Sequence, residues 1–430
     1  MKITLDQLRC DPCDPFAAAG ALLAALERGN WVRLLGPQDD SLEVPKALPA
    51  GPGLLLSTGG SSGSRQLCLQ PSIHLDRSAA ATGRWLHALG LNASQVIVWN
   101  PLPFQHVSGL MPWWRAQQWN VAHVWLSPAL MKSPQALLAE SCQRSDWDSM
   151  PMVLSLVPTQ LGRLLADSAG VRWLQAMALI WVGGAALPDE LAAKARALGI
   201  KLAPCYGSTE TAAMVVAQTP ERFLDGEDGV GEPLDDIELR VEANGALAVR
   251  CRRLAIGRWK PDGDGSLAEQ STEPSVSPLT GVDGWWRSGD AARLKGFAAT
   301  PQLALLGRLD GAIHSGGVTV FPEQLEVRLM AAAREVGLPL KAVLLLGVHD
   351  PEWGERLVVL VRWQDEDHPS GAAKALLLRL KALTKRWLPA ERPQRWRSCP
   401  NLAPTSAGKW ERTRWRTWLE DLERPDGADC

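Results

Sequence analysis

Five short stretches of this chain carry residue types suited to handling a phosphorylated molecule. The first is Ser57-Thr58-Gly59-Gly60-Ser61-Ser62-Gly63-Ser64-Arg65, a run of glycines and hydroxyls. After a buried strand, such a run turns backbone N–H groups and hydroxyls toward an anion, usually a phosphate. A nucleotide P-loop carries Lys and then Ser or Thr directly after its last glycine. Here Ser64 follows Gly63, which excludes that loop. An ordinary surface loop has the same composition, and on the residues alone both readings stand.

The second stretch, Tyr206-Gly207-Ser208-Thr209-Glu210, sets a hydroxyl beside a carboxylate. That pair suits a phosphate oxygen together with Mg²⁺, an ion that prefers oxygen ligands. It equally suits a helix start capped by Thr. In the third, Ser288-Gly289-Asp290, a carboxylate on a tight turn can accept from both hydroxyls of a ribose, or simply close the turn. The fourth is Gly307-Arg308-Leu309-Asp310-Gly311, followed by His314-Ser315-Gly316-Gly317. The fifth, Thr405-Ser406-Ala407-Gly408-Lys409, places a lysine on a glycine turn, a mobile point charge suited to phosphate or carboxylate. Cys10 and Cys13 form a C-x-x-C with no second pair, so reduced thiols are expected there rather than zinc.

These residues need a scaffold, and the pattern around them supplies one. Leu54-Leu55-Leu56 reads as a short buried strand ahead of the Gly/Ser run. Strand-like runs follow at Val96 to Trp99, Val121 to Leu126, Met152 to Val157, Leu179 to Val182 and Ile237 to Val241. They alternate with helical stretches at Ser133 to Arg144, Thr159 to Ala169 and Asp189 to Leu198. Such alternation predicts an α/β architecture with largely parallel sheets. The first 50 residues read as a helical lead-in, with Ala17 to Arg28 its helix. Residues 261 to 281 are polar and read as a solvent loop. Beyond Gly307 the pattern changes to strands at Val343 to Val348 and Leu357 to Trp363, then an amphipathic helix at Ala372 to Trp387. The expected division is a large α/β domain over residues 1–307 and a small α+β domain over 308–430.

Composition narrows the partners. Of 430 residues, 46% are hydrophobic and 21% charged, which are globular values. The net charge of −2 gives no overall basic excess to attract nucleic acid. Residues 381 to 416 are locally basic, with ten Lys or Arg against Glu391 and Glu411. A solvated helix face and attraction of small polyanions account for that segment. The run Met177 to Pro188, broken by Gly183 and Gly184, is too short to span a bilayer, and Met1 to Leu8 has no apolar core. A cytoplasmic protein without stable membrane insertion is expected, with the oligomeric state, a homo-oligomer included, left open.

The order of the five stretches resembles the adenylate-forming superfamily of acyl-CoA synthetases, adenylation domains and luciferases, over roughly Leu54 to Arg412. The family signature T-S-G-T-T-G-x-P-K-G falls on Thr58 to Leu67, where Arg65 and Gln66 stand in place of its Pro and Lys. The resemblance implies that Thr58, Ser61, Ser62 and Gly63 hold phosphate. It implies that Gly183, Gly184 and Ala185 line the adenine pocket with Tyr206 and Gly207. Thr209 touches phosphate, Glu210 holds Mg²⁺, and Asp290 and Arg308 take the ribose. Asp310 is the interdomain hinge, Gly316 and Gly317 border the pantetheine tunnel, and Lys409 completes the adenylation site. The implied fold is a large N-terminal domain with a small mobile C-terminal one. The implied cofactors are ATP, Mg²⁺ and coenzyme A, and the partner is a small-molecule carboxylic acid.

Within the superfamily, Pro101 to Leu110 resembles the P-L-F-H-x-S-G segment of CoA ligases. There His106 and Ser108 are expected at the acyl pocket, as catalytic and substrate-binding residues. The branch this chain most resembles activates o-succinylbenzoate, in menaquinone and phylloquinone biosynthesis. Two alternatives remain: another acid, or a carrier protein as thiol, and a nucleotide-binding protein without catalysis, which Gln66 motivates.

Overall fold

The apolar runs read from the sequence become strands in the computed structural model. It describes residues 4–12, 14–39, 48–58, 66–147, 149–259, 276–296, 301–364, 370–404 and 410–423. A seven-stranded sheet forms the centre, in the order Glu232–Pro233, Ala213–Ala217, Leu202–Ser208, Leu179–Val182, Met152–Leu156, Ile97–Asn100, His123–Trp125. Its last five strands in that order are mutually parallel, and the first two are antiparallel. Leu179-Ile180-Trp181-Val182 is buried at every position because helices cover both faces, which is why it reads as one apolar run. Trp99 and Trp173 meet edge to face at 5.9 Å beneath it, and Trp173 Nε1 donates to Ser141 Oγ at 2.9 Å.

A second sheet carries the foot of the Gly/Ser run. Its order is Leu5–Arg9, Trp31–Leu35, Gly53–Ser57, Leu67–Pro71, Gly257–Trp259, Ser277–Pro278. The first three strands are parallel and the rest antiparallel. A third, antiparallel sheet runs Glu238–Val241, Ala246–Arg250, Trp286–Lys295, Gln302–Arg308. The fourth is built only from later residues: Val318–Val320, Ile313–Ser315, Gly354–Trp363 and Leu340–Asp350, with Arg395–Ser398 added in parallel beside Gly354–Trp363. Helices Pro322–Glu335, Ser370–Leu383 and Arg412–Glu423 accompany it.

Several expectations are corrected. The lead-in is not helical throughout: helix Pro15–Glu27 lies between strands Leu5–Arg9 and Trp31–Leu35, the latter fully buried. Thr159 to Ala169 is two helices, Pro158–Leu165 and Ser168–Gln175. Asp167 breaks the run by capping the second, accepting from the N–H of Ala169 at 2.8 Å and of Gly170 at 3.4 Å. The helix expected to reach Trp387 stops at Leu383, and the Thr384 hydroxyl donates to the Lys381 carbonyl at 2.9 Å. Parallel pairing is confined to parts of the sheets. Within the expected solvent loop, residues 261–275 lie outside the described ones, while Ser277–Pro278 pairs with Gly257–Trp259. Cys10 is buried and unpaired, Cys142 is exposed, and Cys13 lies outside the described residues. Among the described residues no helix is long and apolar enough to cross a membrane.

Candidate active site

The Tyr206–Glu210 stretch starts at the end of strand Leu202–Ser208 and turns into a short 3₁₀ segment, Thr209–Thr211. The turn is held from many sides. Gln70 Nε2 donates to the carbonyls of Thr209 at 3.0 Å and Glu210 at 3.2 Å. Arg253 Nη1 donates to the Thr211 carbonyl at 2.9 Å, and Ser78 Oγ to that of Ala212 at 2.6 Å. Arg253 is itself fully buried and grips Asp236 through Nε at 2.7 Å and Nη2 at 3.3 Å. Ala212 and Ala213 sit at φ 51° and 77°, a left-handed conformation costly for alanine. The surrounding bonds are what hold it. Gly207 admits no side chain, since a Cβ there would lie 2.2 Å from the Ala213 carbonyl oxygen.

Thr209 and Glu210 are both 8% exposed. Thr209 Oγ1 donates to the Ser57 carbonyl at 3.4 Å, and Thr58 donates through N–H at 2.9 Å and Oγ1 at 3.3 Å to that of Gln66. The Thr-Glu pair therefore stands at the mouth of the Gly/Ser run. Ser61, Ser62 and Gly63 lie outside the described residues, as does Lys409. Arg258 Nη2 donates to Glu210 Oε1 at 2.6 Å.

On the other side of Tyr206 a polar chain forms. The Tyr206 hydroxyl donates to Asp290 Oδ2 at 2.5 Å, and Arg308 Nη1 donates to Asp290 Oδ1 at 3.3 Å. Arg308 also forks onto Asp310, through Nε at 3.0 Å and Nη2 at 2.9 Å. Burial, followed by the negative charge of Asp290, pushes the Tyr206 phenol well above its ordinary range, so it stays a donor. The pairing with Asp310 raises Arg308 further. Asp290 and Arg308 are thus brought together as expected, and Asp310 is joined to them. Gly183 and Gly184 follow strand Leu179–Val182; Gly184 sits at φ +80°, and Ala185 is exposed beside it. Gly316 and Gly317 form the turn between strands Ile313–Ser315 and Val318–Val320, on the last sheet.

His106 and Ser108 are the expected acyl-pocket residues. Both are exposed, at the N-terminus of helix Val107–Trp119. That helix carries a residue the sequence reading missed. Arg115 is 4% exposed, and among the described residues its guanidinium finds no hydrogen-bond acceptor. It lies 5.2 Å over the ring of Trp181, two residues before Gly183. Burial pushes its pKa down to about 10, with Arg253 adding repulsion, yet at pH 7 it remains a cation. The signal in the sequence was a lone arginine after Leu110-Met111-Pro112-Trp113-Trp114.

Among the described residues there is no group of three His, Cys, Asp or Glu side chains able to hold a metal by itself. A lone buried carboxylate still suits Mg²⁺, which takes its other ligands from phosphates and water. Glu210 Oε2 receives no donor from a described residue, so the donor set fits that mode.

Residues 45–249 match the AMP-binding enzyme family. The 2-succinylbenzoate–CoA ligase of Salmonella typhimurium is 30% identical over 318 residues, covering 74% of this chain and 59% of the relative. The match spans about three fifths of that relative's length. Among solved structures, o-succinylbenzoate CoA synthetase from Bacillus subtilis with its acyl-adenylate intermediate superposes at a TM-score of 0.71 and 17% identity, over 100% of this chain and 89% of that one. The same enzyme in complex with ATP and magnesium ion gives 0.67 and 16%, over 96% and 89%. Those likenesses are of fold, a mixed α/β architecture.

Proposed function

We propose that this protein, whose residues 45–249 match the AMP-binding enzyme family, is an ATP-dependent acid–thiol ligase that converts 2-succinylbenzoate to its CoA thioester. A carboxylate is a poor acylating agent because its leaving group is oxide. Attack of that carboxylate on the α-phosphate of ATP expels pyrophosphate and leaves a mixed anhydride with AMP. The CoA thiolate then attacks the acyl carbonyl, and AMP departs. The reading puts the reaction in the cytoplasm, where ATP and CoA are at hand.

The protein's share is positioning and charge stabilisation. In this reading Tyr206 packs on adenine, and Asp290 with Arg308 accepts and donates to the ribose hydroxyls. Thr209 and Thr58 donate to phosphate oxygens, as do Ser61, Ser62 and the amide of Gly63. Glu210 would hold Mg²⁺, which offsets phosphate charge when bound. Lys409 serves adenylation only. Rotation of a small domain, residues 308–430, about Asp310 then withdraws it and brings Gly316-Gly317 to the thiol's path. His106 and Ser108 stand at the mouth through which the acid enters.

One observation carries the choice of acid. Buried charges are normally paired, and Arg115 is buried without an anion among the described residues. A monoacid delivers its one carboxylate to the α-phosphate and leaves Arg115 unpaired. A diacid reacts through one carboxylate and sets the second on the guanidinium, with the Trp181 ring beside its aromatic body. The test incubates the protein with 2-succinylbenzoate, ATP and CoA and reads AMP and thioester by mass spectrometry. Stoichiometric AMP and thioester support the reading. AMP and thioester with monoacids but not with the diacid overturn it, and thioester only on an added carrier protein replaces CoA as the acceptor.

A further inference from the structure

The sequence sets uncharged Gln66 where the family's phosphate loop ends on a lysine. A site that handles a triphosphate without that lysine can draw positive charge from the neighbouring Arg65 or from another element. Strand Gly257–Trp259 brings a cation. Its Arg258 lies opposite Cys68, which lies opposite Leu56, so the three side chains project from the same face of the sheet. That face looks onto the Thr209–Glu210 turn, because Gln70, two residues on from Cys68, donates to both carbonyls of the turn.

The placement is fixed twice. Through the backbone, the Ala255 N–H donates to the Glu210 carbonyl at 2.7 Å. Through the side chains, Arg258 Nη2 donates to Glu210 Oε1 at 2.6 Å. Two features separate this contact from a closed structural ion pair. The Arg258 side chain is 32% exposed while that of Glu210 is 10% exposed, so the guanidinium is the open end of the pair. Its Nε is buried and has no acceptor. A buried Glu210 alone would repel an approaching polyphosphate; neutralised by Arg258, the corner tolerates one, and the fork has donors left to offer it.

We infer that Arg258 receives the terminal phosphates of the nucleotide, serving at the phosphate corner as the cation that Gln66 does not provide. The inference rests on the reading of this site as an ATP site. Lysine would be a poor replacement: its point charge cannot hold Glu210 and a phosphate in one planar fork.

Calorimetric titration of Mg²⁺–ATP and of AMP into the full-length protein tests it, because AMP lacks the terminal phosphates. Arg258→Gln should weaken ATP roughly ten- to a hundredfold, as for loss of a hydrogen bond to a charged group, and leave AMP within about twofold. Arg258→Lys should restore part of the loss. Because Arg258→Gln leaves Glu210 buried and unpaired, the comparison is repeated in a Glu210→Gln background, where adding Arg258→Gln should again cost ATP and spare AMP. Equal weakening of ATP and AMP in that background makes Arg258 a purely structural partner and overturns the inference, as does ATP affinity unchanged by Arg258→Gln. A wild-type protein that binds neither nucleotide overturns the ATP-site reading itself, and this assignment with it.

Discussion

Replacing Arg115 with methionine should stabilise the free protein and damage the enzyme, and both effects can be sized from its surroundings. The guanidinium is 4% exposed with no hydrogen-bond acceptor among the described residues. Burial lowers its pKa to about 10, below that of a solvated guanidinium. At about 1.36 kcal/mol for each pH unit, that disfavours the buried cation by about 3 kcal/mol. The sign follows from proton counts. Above pH 10 the unfolded chain keeps a proton that the folded one has released, so this contribution makes the fold more stable as pH rises there. At pH 7 both states are protonated and the full penalty applies. Methionine has similar reach and no charge, so Arg115→Met should raise the unfolding free energy by on the order of 1–3 kcal/mol. Denaturant unfolding of the ligand-free protein reads this directly.

The same substitution removes the proposed partner of the substrate's second carboxylate. Loss of charged hydrogen bonds costs about 1.5–3 kcal/mol, or roughly a ten- to hundredfold drop in kcat/KM for 2-succinylbenzoate. A benzoate without the second carboxylate should show no such drop. A more stable protein that has lost selectivity for the diacid is the pattern of a binding group held at a cost to stability. A less stable variant that loses activity equally on both acids would show that Arg115 serves the core, through its contact with Trp181, and the argument for a diacid would fall with it.

Three further outcomes are expected. Lys409→Ala should slow adenylation about a hundredfold or more, as for removal of one preorganised charge, and spare thioester formation from supplied acyl-adenylate; single-turnover assays of each half-reaction separate the two. Asp310→Pro fixes φ at the proposed pivot, so adenylate should still form while its transfer to CoA slows sharply in the same assays. Arg412→Ala strands the buried Glu326, which now accepts two bonds of 2.9 Å from the Arg412 fork, and should lower unfolding stability by about 3–5 kcal/mol; Arg412→Ala with Glu326→Gln should recover part of that.

Much of the fold was legible because its strands are short and buried on both faces. Leu179 to Val182 has the bounds that were expected, with Gly183 closing its C-terminal end. The misreadings share a cause. Thr159 to Ala169 looked like one helix because periodicity cannot see a side chain turning back to cap a second start, as Asp167 does. Trp31 to Leu35 was taken into a helical lead-in because its strand identity comes from pairing with Leu5–Arg9 and Gly53–Ser57, not from its own residues.

The site divides along the same line. Tyr206, Thr209, Glu210, Asp290 and Arg308 were legible because they sit in contiguous motifs at strand ends, where the backbone itself sets them. Arg253, Gln70 and Ser78, which hold the Thr209–Ala213 turn, left no local trace: Arg253 reaches Ser78 across 175 residues and Gln70 reaches Glu210 across 140. Arg258 and Arg115 were hidden for a different reason. Each is an arginine whose neighbours in the chain are apolar, and one of their partners, by the readings above, is absent until a ligand arrives. A sequence pattern records the contacts a residue makes within the fold; a group kept incomplete for a ligand shows only as an unexplained polar residue in an apolar run. In this chain the two such residues flank the Tyr206–Glu210 segment, Arg258 on Glu210 itself and Arg115 over Trp181 two residues before Gly183. The proposed chemistry needs positive charge in two places, one at the leaving phosphates and one at the far carboxylate of the acid, and among the described residues Arg258 and Arg115 each keep a buried guanidinium nitrogen without an acceptor.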